Sequence, residues 1–299
     1  MAVNWKSSPF LALAALVGIT AVWGYTFLIV QSAVGRMPVM DFMAWRFAAA
    51  ALVMLALRPG CLRNITHREL LRGAALGIVL GLGYIAQTYG LLYASAAVSG
   101  FITGMFVVLT PVMAWILLRH KTGRTTWLVV ALATVGVAVL SLNGWAVGPG
   151  ELLTLGCAIL FAIHIVGLGE WSPQYDPYTF AFLQIATVAL ISVIAALPGG
   201  ITMPPDIEAW ETIGITAVFA TALAFIVQTW AQSLVAPTRA AIVMTMEPVF
   251  AGLFAVVIGG NQLTWRTLLG GAFIVAAMLI INLKSAPGHT QKGKIVDSL

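Results

Sequence analysis

Stretches of about 20 apolar residues follow one another along nearly the whole chain, broken by short connectors that hold most of the charge. The first runs from Pro9 to Val34, and the last ends before Lys284. A hydrocarbon layer roughly 30 Å thick takes about 20 residues of helix, so each stretch is long enough to cross it. The pattern predicts ten spans, at roughly 9–34, 39–57, 70–93, 96–118, 126–143, 150–169, 177–197, 209–233, 238–258 and 264–283. Strands of a membrane barrel would instead be about ten residues long with alternating polarity, a pattern this chain lacks. The expected fold is an all-α polytopic membrane protein. The first stretch leads into further spans without a clear cleavage pattern, so it is expected to be retained.

Composition agrees. Charged residues make up 8% of the chain and hydrophobic ones 61%, too few charges to cover a soluble domain. The net charge of +5 points to topology, because the basic residues are unevenly placed. With a cytoplasmic N-terminus, twelve of the 15 basic residues fall on the cytoplasmic side, among them Lys6, Arg58, Arg63, Arg119, Lys121, Arg239, Lys284, Lys292 and Lys294. Arg36 and Arg266 fall outside, and Arg46 lies within the second span. This bias predicts both termini in the cytoplasm of a bacterial inner membrane, with lipid and not nucleic acid as the basic clusters' partner. Two cysteines, Cys61 and Cys157, and four scattered histidines form no metal-ligand or disulfide pattern, so no cofactor is expected. No G-x-x-x-x-G-K-[ST] run is present, which leaves a gradient as the energy source for any transport.

The chain also repeats. A shift of 138 residues lays Trp23 on Phe161, Thr26 on His164, Phe42 on Phe180, Arg46 on Gln184 and Trp127 on Trp265. A shift of 141 lays Gln87-Thr88 on Gln228-Thr229, and one of 137 lays Thr110-Pro111-Val112 on Glu247-Pro248-Val249. The halves are expected at residues 8–144 and 149–284, with a cytoplasmic tail at 285–299. Each half holds five expected spans, an odd number, so the second half enters the membrane inverted. Inverted repeats suit alternating access to a midplane site between the halves.

Several short motifs in this layout resemble the EamA-type transporters of the drug/metabolite transporter superfamily. They are Trp23-Gly-Tyr-Thr-Phe27, Trp45-Arg-Phe47, Thr110-Pro111 and Glu247-Pro-Val-Phe250, spread through residues 8–285. The resemblance implies ten helices in a five-plus-five arrangement and movement of small metabolites. A bacterial branch of that family exports aromatic amino acids.

Candidate site residues follow from polar groups within the spans. Trp23, Tyr84, Gln87, Phe101, His164, Gln228 and Trp230 are expected to line a cavity for small neutral or zwitterionic solutes bearing an apolar group. Tyr84 and Gln87 share a helix face, as do Phe225, Gln228 and Gln232. The amides, and His164, have a second reading as plain interhelical hydrogen bonds. Glu247, followed by Pro248, and Pro111 in the matching position of the first half are expected to couple or gate transport, with a structural brace at the proline as the alternative. Arg46 is read as a snorkelling or bracing arginine, with Asp41 about one turn away. Gly73, Gly77 and Gly81, four residues apart, predict a close helix contact. A sugar-phosphate or nucleotide-sugar importer or exchanger is the alternative on the same fold, and it would want several cavity cations. An intramembrane enzyme would have to use Asp41, His164 and Glu247, which form no local catalytic motif. A monomer or weak homo-oligomer is expected.

Overall fold

A computed structural model describes residues 9–119, 123–141, 148–235, 246–260 and 264–284, with positions 240, 243, 244 and 262. The expected tail, and Lys6, Lys121, Arg239, Lys292 and Lys294, lie outside the described residues. Every regular element among the described residues is helical. The helices are α1 (Pro9–Val34), α2 (Val39–Leu57), α3 (His67–Gly90), α4 (Ala96–Thr103), α5 (Phe106–Leu118), α6 (Arg124–Ser141), α7 (Pro149–Trp171) and α8 (Pro177–Ala196). They continue with α9 (Ile207–Ile215), a π-helical segment (Thr216–Leu223), α10 (Ala224–Leu234), α11 (Met246–Val257) and α12 (Trp265–Lys284). Seven stretches are long and apolar enough to cross a membrane, and shorter apolar helices lie in α6, α11 and α12.

Local chemistry sets the helix starts. The side chains of Thr66, Ser95, Asp176 and Asp206 each accept from a backbone N–H three residues on, capping α3, α4, α8 and α9. Two expectations are corrected. The span at 96–118 is two helices, interrupted at Gly104-Met105. The span at 209–233 is not one uniform helix but carries eight π-helical residues at its centre. Pro248 lies in α11, and Pro111 lies inside α5.

Packing runs mainly between the two halves of the chain. α2 packs on α8 and on the π-helical segment, α3 on α7 and α8, α1 on α11 and on the α9–α10 helix, α7 on α4 and α5, α4 on α11, and α6 on α12. Exchanging the halves maps this set of pairs onto itself. The connectors fix relative direction. Arg36, after α1, pairs with Asp206, after α8, whereas Arg58, after α2, pairs with Asp176, after α7. The end of α1 thus lies beside the end of α8, and the end of α2 beside the end of α7. Matching helices of the two halves therefore run in opposite directions.

The glycines of α3 make its contact with α8. A Cβ added at Gly77 would lie 2.5 Å from Thr187 Cβ and 2.7 Å from the Gln184 carbonyl oxygen. Only a missing side chain lets these backbones approach so closely, as the four-residue spacing predicts. Outward positions such as Leu52, Leu57 and Leu190 remain exposed and apolar, a surface suited to hydrocarbon.

Candidate functional site

A cavity lies where α1, α2, α3, α7, α10 and α11 converge, with Phe106 of α5 closing one wall. Its walls come in repeat-matched pairs. Trp23 and Phe161, Thr26 and His164, Tyr84 and Phe225, and Gln87 and Gln228 all line it. Two halves packed about a pseudo-twofold axis bring equivalent positions together only near that axis, so the cavity lies on it. The cavity volume is about 40 Å³, room for a water molecule or so and far below a metabolite. Accommodating a solute requires the walls to part.

Tyr84 stands at the centre of an aromatic cluster. Its ring meets Phe47, Phe161 and Phe225 at centroid distances of 5.1, 5.2 and 6.1 Å. Trp23 and His164 touch the same Phe225 ring at 5.9 and 6.2 Å. Such edge and tilted contacts give rings a defined geometry beyond burial alone.

The π-helical segment supplies polar anchors. Where it joins α10, the Ala224 N–H reaches back five residues to the Phe219 carbonyl. This shifted register leaves the Ala220 carbonyl to accept from the Trp23 indole N–H at 2.9 Å. Arg46 Nε donates to Thr221 Oγ1 at 3.0 Å in the same segment.

Of the two readings of Arg46, snorkelling is overturned, and its hydrogen bond to Thr221 on another helix fits bracing. The arginine is 3% exposed, lines the cavity, and stacks over Tyr84 and Phe47 at 4.9 and 5.0 Å. Asp41 points elsewhere, accepting from the backbone N–H of Thr202 at 3.0 Å and from its hydroxyl. The repeat alignment held the signal that the residue reading did not use, since Arg46 matches Gln184. Gln184 donates to the Phe180 carbonyl, so its oxygen faces His164 Nε2 at 2.7 Å and the imidazole donates there. His164 is thus both an interhelical hydrogen bond and a cavity wall.

Six of the expected residues converge: Trp23, Tyr84, Gln87, His164, Gln228 and Glu247. Gln87 Nε2 also donates to Thr103 Oγ1 at 3.3 Å. Phe101 and Trp230 do not line this cavity. Phe101 precedes Thr103 by two residues, about 200° around the helix, and its ring packs on Gly252 and Gly271 in a separate groove between α4, α11 and α12. Trp230 follows Gln228 by the same two residues and packs on Ala12 and Leu16. Pro111 and Pro248 are absent from the walls, although each is close in sequence to a wall residue, Phe106 or Glu247.

Both ends of the cavity are crossed by contacts between the halves. At one end Arg36 holds Asp206 at 2.8 Å and Glu208 at 3.0 Å, and Trp45 Nε1 donates to the Thr202 carbonyl. At the other end Arg58 holds Asp176 at 2.8 Å, Arg72 donates to Gln174 at 2.6 Å, and the Tyr178 hydroxyl donates to the Met54 carbonyl.

Matched halves around a small, partly polar cavity, in a chain built of membrane-length helices, are the architecture of a membrane transporter. Comparison with known proteins narrows the class. The model of the EamA-like transporter family matches residues 10–142 and again residues 148–283, and the chain belongs to that family. It is similar to an "uncharacterized transporter" of Archaeoglobus fulgidus, 32% identical over 275 residues that cover 92% of this chain and 85% of the relative. It is also similar to the "uncharacterized inner membrane transporter YedA" of Escherichia coli K12, 24% identical over 280 residues and 90% of each chain. A solved crystal structure shares the fold, with a TM-score of 0.66 at 19% identity, over 91% of this chain and 96% of the other.

Proposed function

We propose that this chain is a secondary transporter that exports small organic metabolites, amino acids or similar amphipathic solutes, across a bacterial inner membrane. It works by alternating access through the cavity between two inverted five-helix halves, residues 8–144 and 149–284, with both termini and the tail at 285–299 in the cytoplasm. The observation that carries this reading is the convergence of repeat-matched aromatic and amide residues on a cavity flanked by ion pairs between the halves. Opening one set of end contacts while keeping the other exposes the cavity to one side at a time. Phe101 and Trp230 drop out of the proposed solute-binding set, and Glu247, Pro248 and Pro111 remain the coupling or gating candidates. Among the described residues Arg46 is the only basic side chain lining the cavity, which speaks against doubly charged phosphates, for which several cations would be needed. Solute-loaded vesicles test the reading. Unmodified solute should cross only when the protein is present, whereas chemically altered solute would mark an enzyme. A thermal-shift screen against amino acids, sugars and cationic drugs should find stabilisers among the amino acids.

A further inference from the structure

The repeat gives the cavity matched aromatic and amide walls, but its two charges have no charged counterparts. Arg46 stands where the second half has Gln184, and Glu247 where the first half has Thr110. Both are nearly fully buried, at 3% and 5% exposure, and both line the cavity. They form no ion pair with each other; the ion pairs among the described residues belong to Arg36 and Arg58. Arg46 commits Nε to Thr221 and also engages the Tyr84 side chain, both of them neutral, and no carboxylate pairs with it among the described residues. Glu247 has no hydrogen-bond donor among them, and Gln228 Oε1 is buried without one. A buried ionisable side chain without an oppositely charged partner is costly, and here a base and an acid line one chamber without pairing.

We propose that the cavity is a zwitterion site for α-amino acids. The substrate carboxylate docks on Nη1 and Nη2 of Arg46, and its ammonium group on Glu247 and Gln228 Oε1. This rests on the transporter reading above and adds to it the charge class and orientation of the substrate. The guanidinium fork suits a carboxylate bidentately, and an ammonium group brings donors to the two oxygen acceptors that lack them. The rings of Tyr84, Phe161 and Phe225 are left to face the side chain. A zwitterion neutralises both buried charges in one binding event. A simple amine or a simple acid neutralises one and strands the other, so either should bind at least tenfold more weakly.

The test uses the full-length purified protein and three series of probes: the standard amino acids, the corresponding decarboxylated amines and the corresponding deaminated acids. Thermal stabilisation gives relative affinities. At least one amino acid should stabilise the wild type at a concentration tenfold below its amine or its acid. In Glu247→Gln the preference over the deaminated acid should fall to within about threefold while the preference over the amine persists. Arg46→Gln should show the reverse. If either variant fails to fold, Glu247→Asp and Arg46→Lys serve instead, with weakened but still two-sided discrimination. Equal stabilisation of the wild type by an amine or an acid, unchanged preferences in both variants, or no stabilisation by any amino acid would overturn the proposal. Vesicle transport of a solute of another charge class would then leave the transporter reading intact, and no transport of any solute would remove both.

Discussion

Trp23 joins the first half of the chain to the second beside the cavity, through its indole N–H on the Ala220 carbonyl and its ring on Phe225. Trp23→Phe keeps most of the ring but leaves a buried carbonyl without that donor, a cost of about 1–3 kcal/mol. The variant should melt several degrees lower in detergent yet still fold, and an unchanged melting temperature would show that the bond contributes nothing. Trp23→Ala removes the wall as well, and solute uptake should fall at least tenfold with folded protein still present in the membrane. At this scale the sequence was legible where a residue differs from its apolar surroundings. Gln87, His164 and Gln228 are polar in otherwise apolar helices, and all three line the cavity. Phe101 and Trp230 carry no such contrast, because a membrane helix is apolar on its protein face and its lipid face alike. Nothing in their identity says which way they point. Arg46 misled for another reason: its nearness to the end of a span does not fix its depth once α2 is covered by α8 and the π-helical segment.

At the scale of elements, the α3–α8 contact and the end latches carry separate predictions. Gly77→Val places methyl groups where Thr187 and a backbone carbonyl already lie, and overpacking of this kind costs about 1–3 kcal/mol or more. Thermal unfolding should show a marked loss, while valine at Gly18, whose side-chain direction is open, should be tolerated. The Arg36 and Arg58 latches are partly exposed, with arginine side chains at 30% and 46% exposure, so each is worth at most about 1 kcal/mol. That is enough to shift a balanced two-state equilibrium about twofold to fivefold. Arg36→Gln and Arg58→Gln should therefore shift the accessibility of a cavity cysteine, introduced at Thr26, in opposite directions. Shifts of the same sign would contradict the latch assignment. Helix caps and the glycine spacing were legible as local chemistry, but the break at Gly104-Met105 and the π-helical segment were not. Both are backbone register changes settled by what packs beside them, and the apolar residues around them would suit an unbroken helix equally well.

At the scale of the whole molecule, the repeat offsets foretold which positions would meet, and the cavity walls follow those pairs closely. The offsets could not show where the matched halves become chemically unequal. That inequality lies in Arg46 and Glu247, single residues against a background of similarity. Orientation in the membrane carries its own prediction. In a background with Cys61 and Cys157 replaced by serine, cysteines at Met203 and Gln262 should react with an impermeant reagent in intact cells, and one at Arg63 should not. Labelling at Arg63 alone would reverse the assigned orientation. The central claim, that the cavity between the halves carries amphipathic amino acids, is tested most directly by uptake of labelled phenylalanine and threonine into inside-out vesicles. Uptake above that of protein-free vesicles, lost in Trp23→Ala and Gln87→Ala with both variants still folded, is the predicted result. Robust uptake of a sugar phosphate, with no response to phenylalanine, threonine or their analogues, would contradict it.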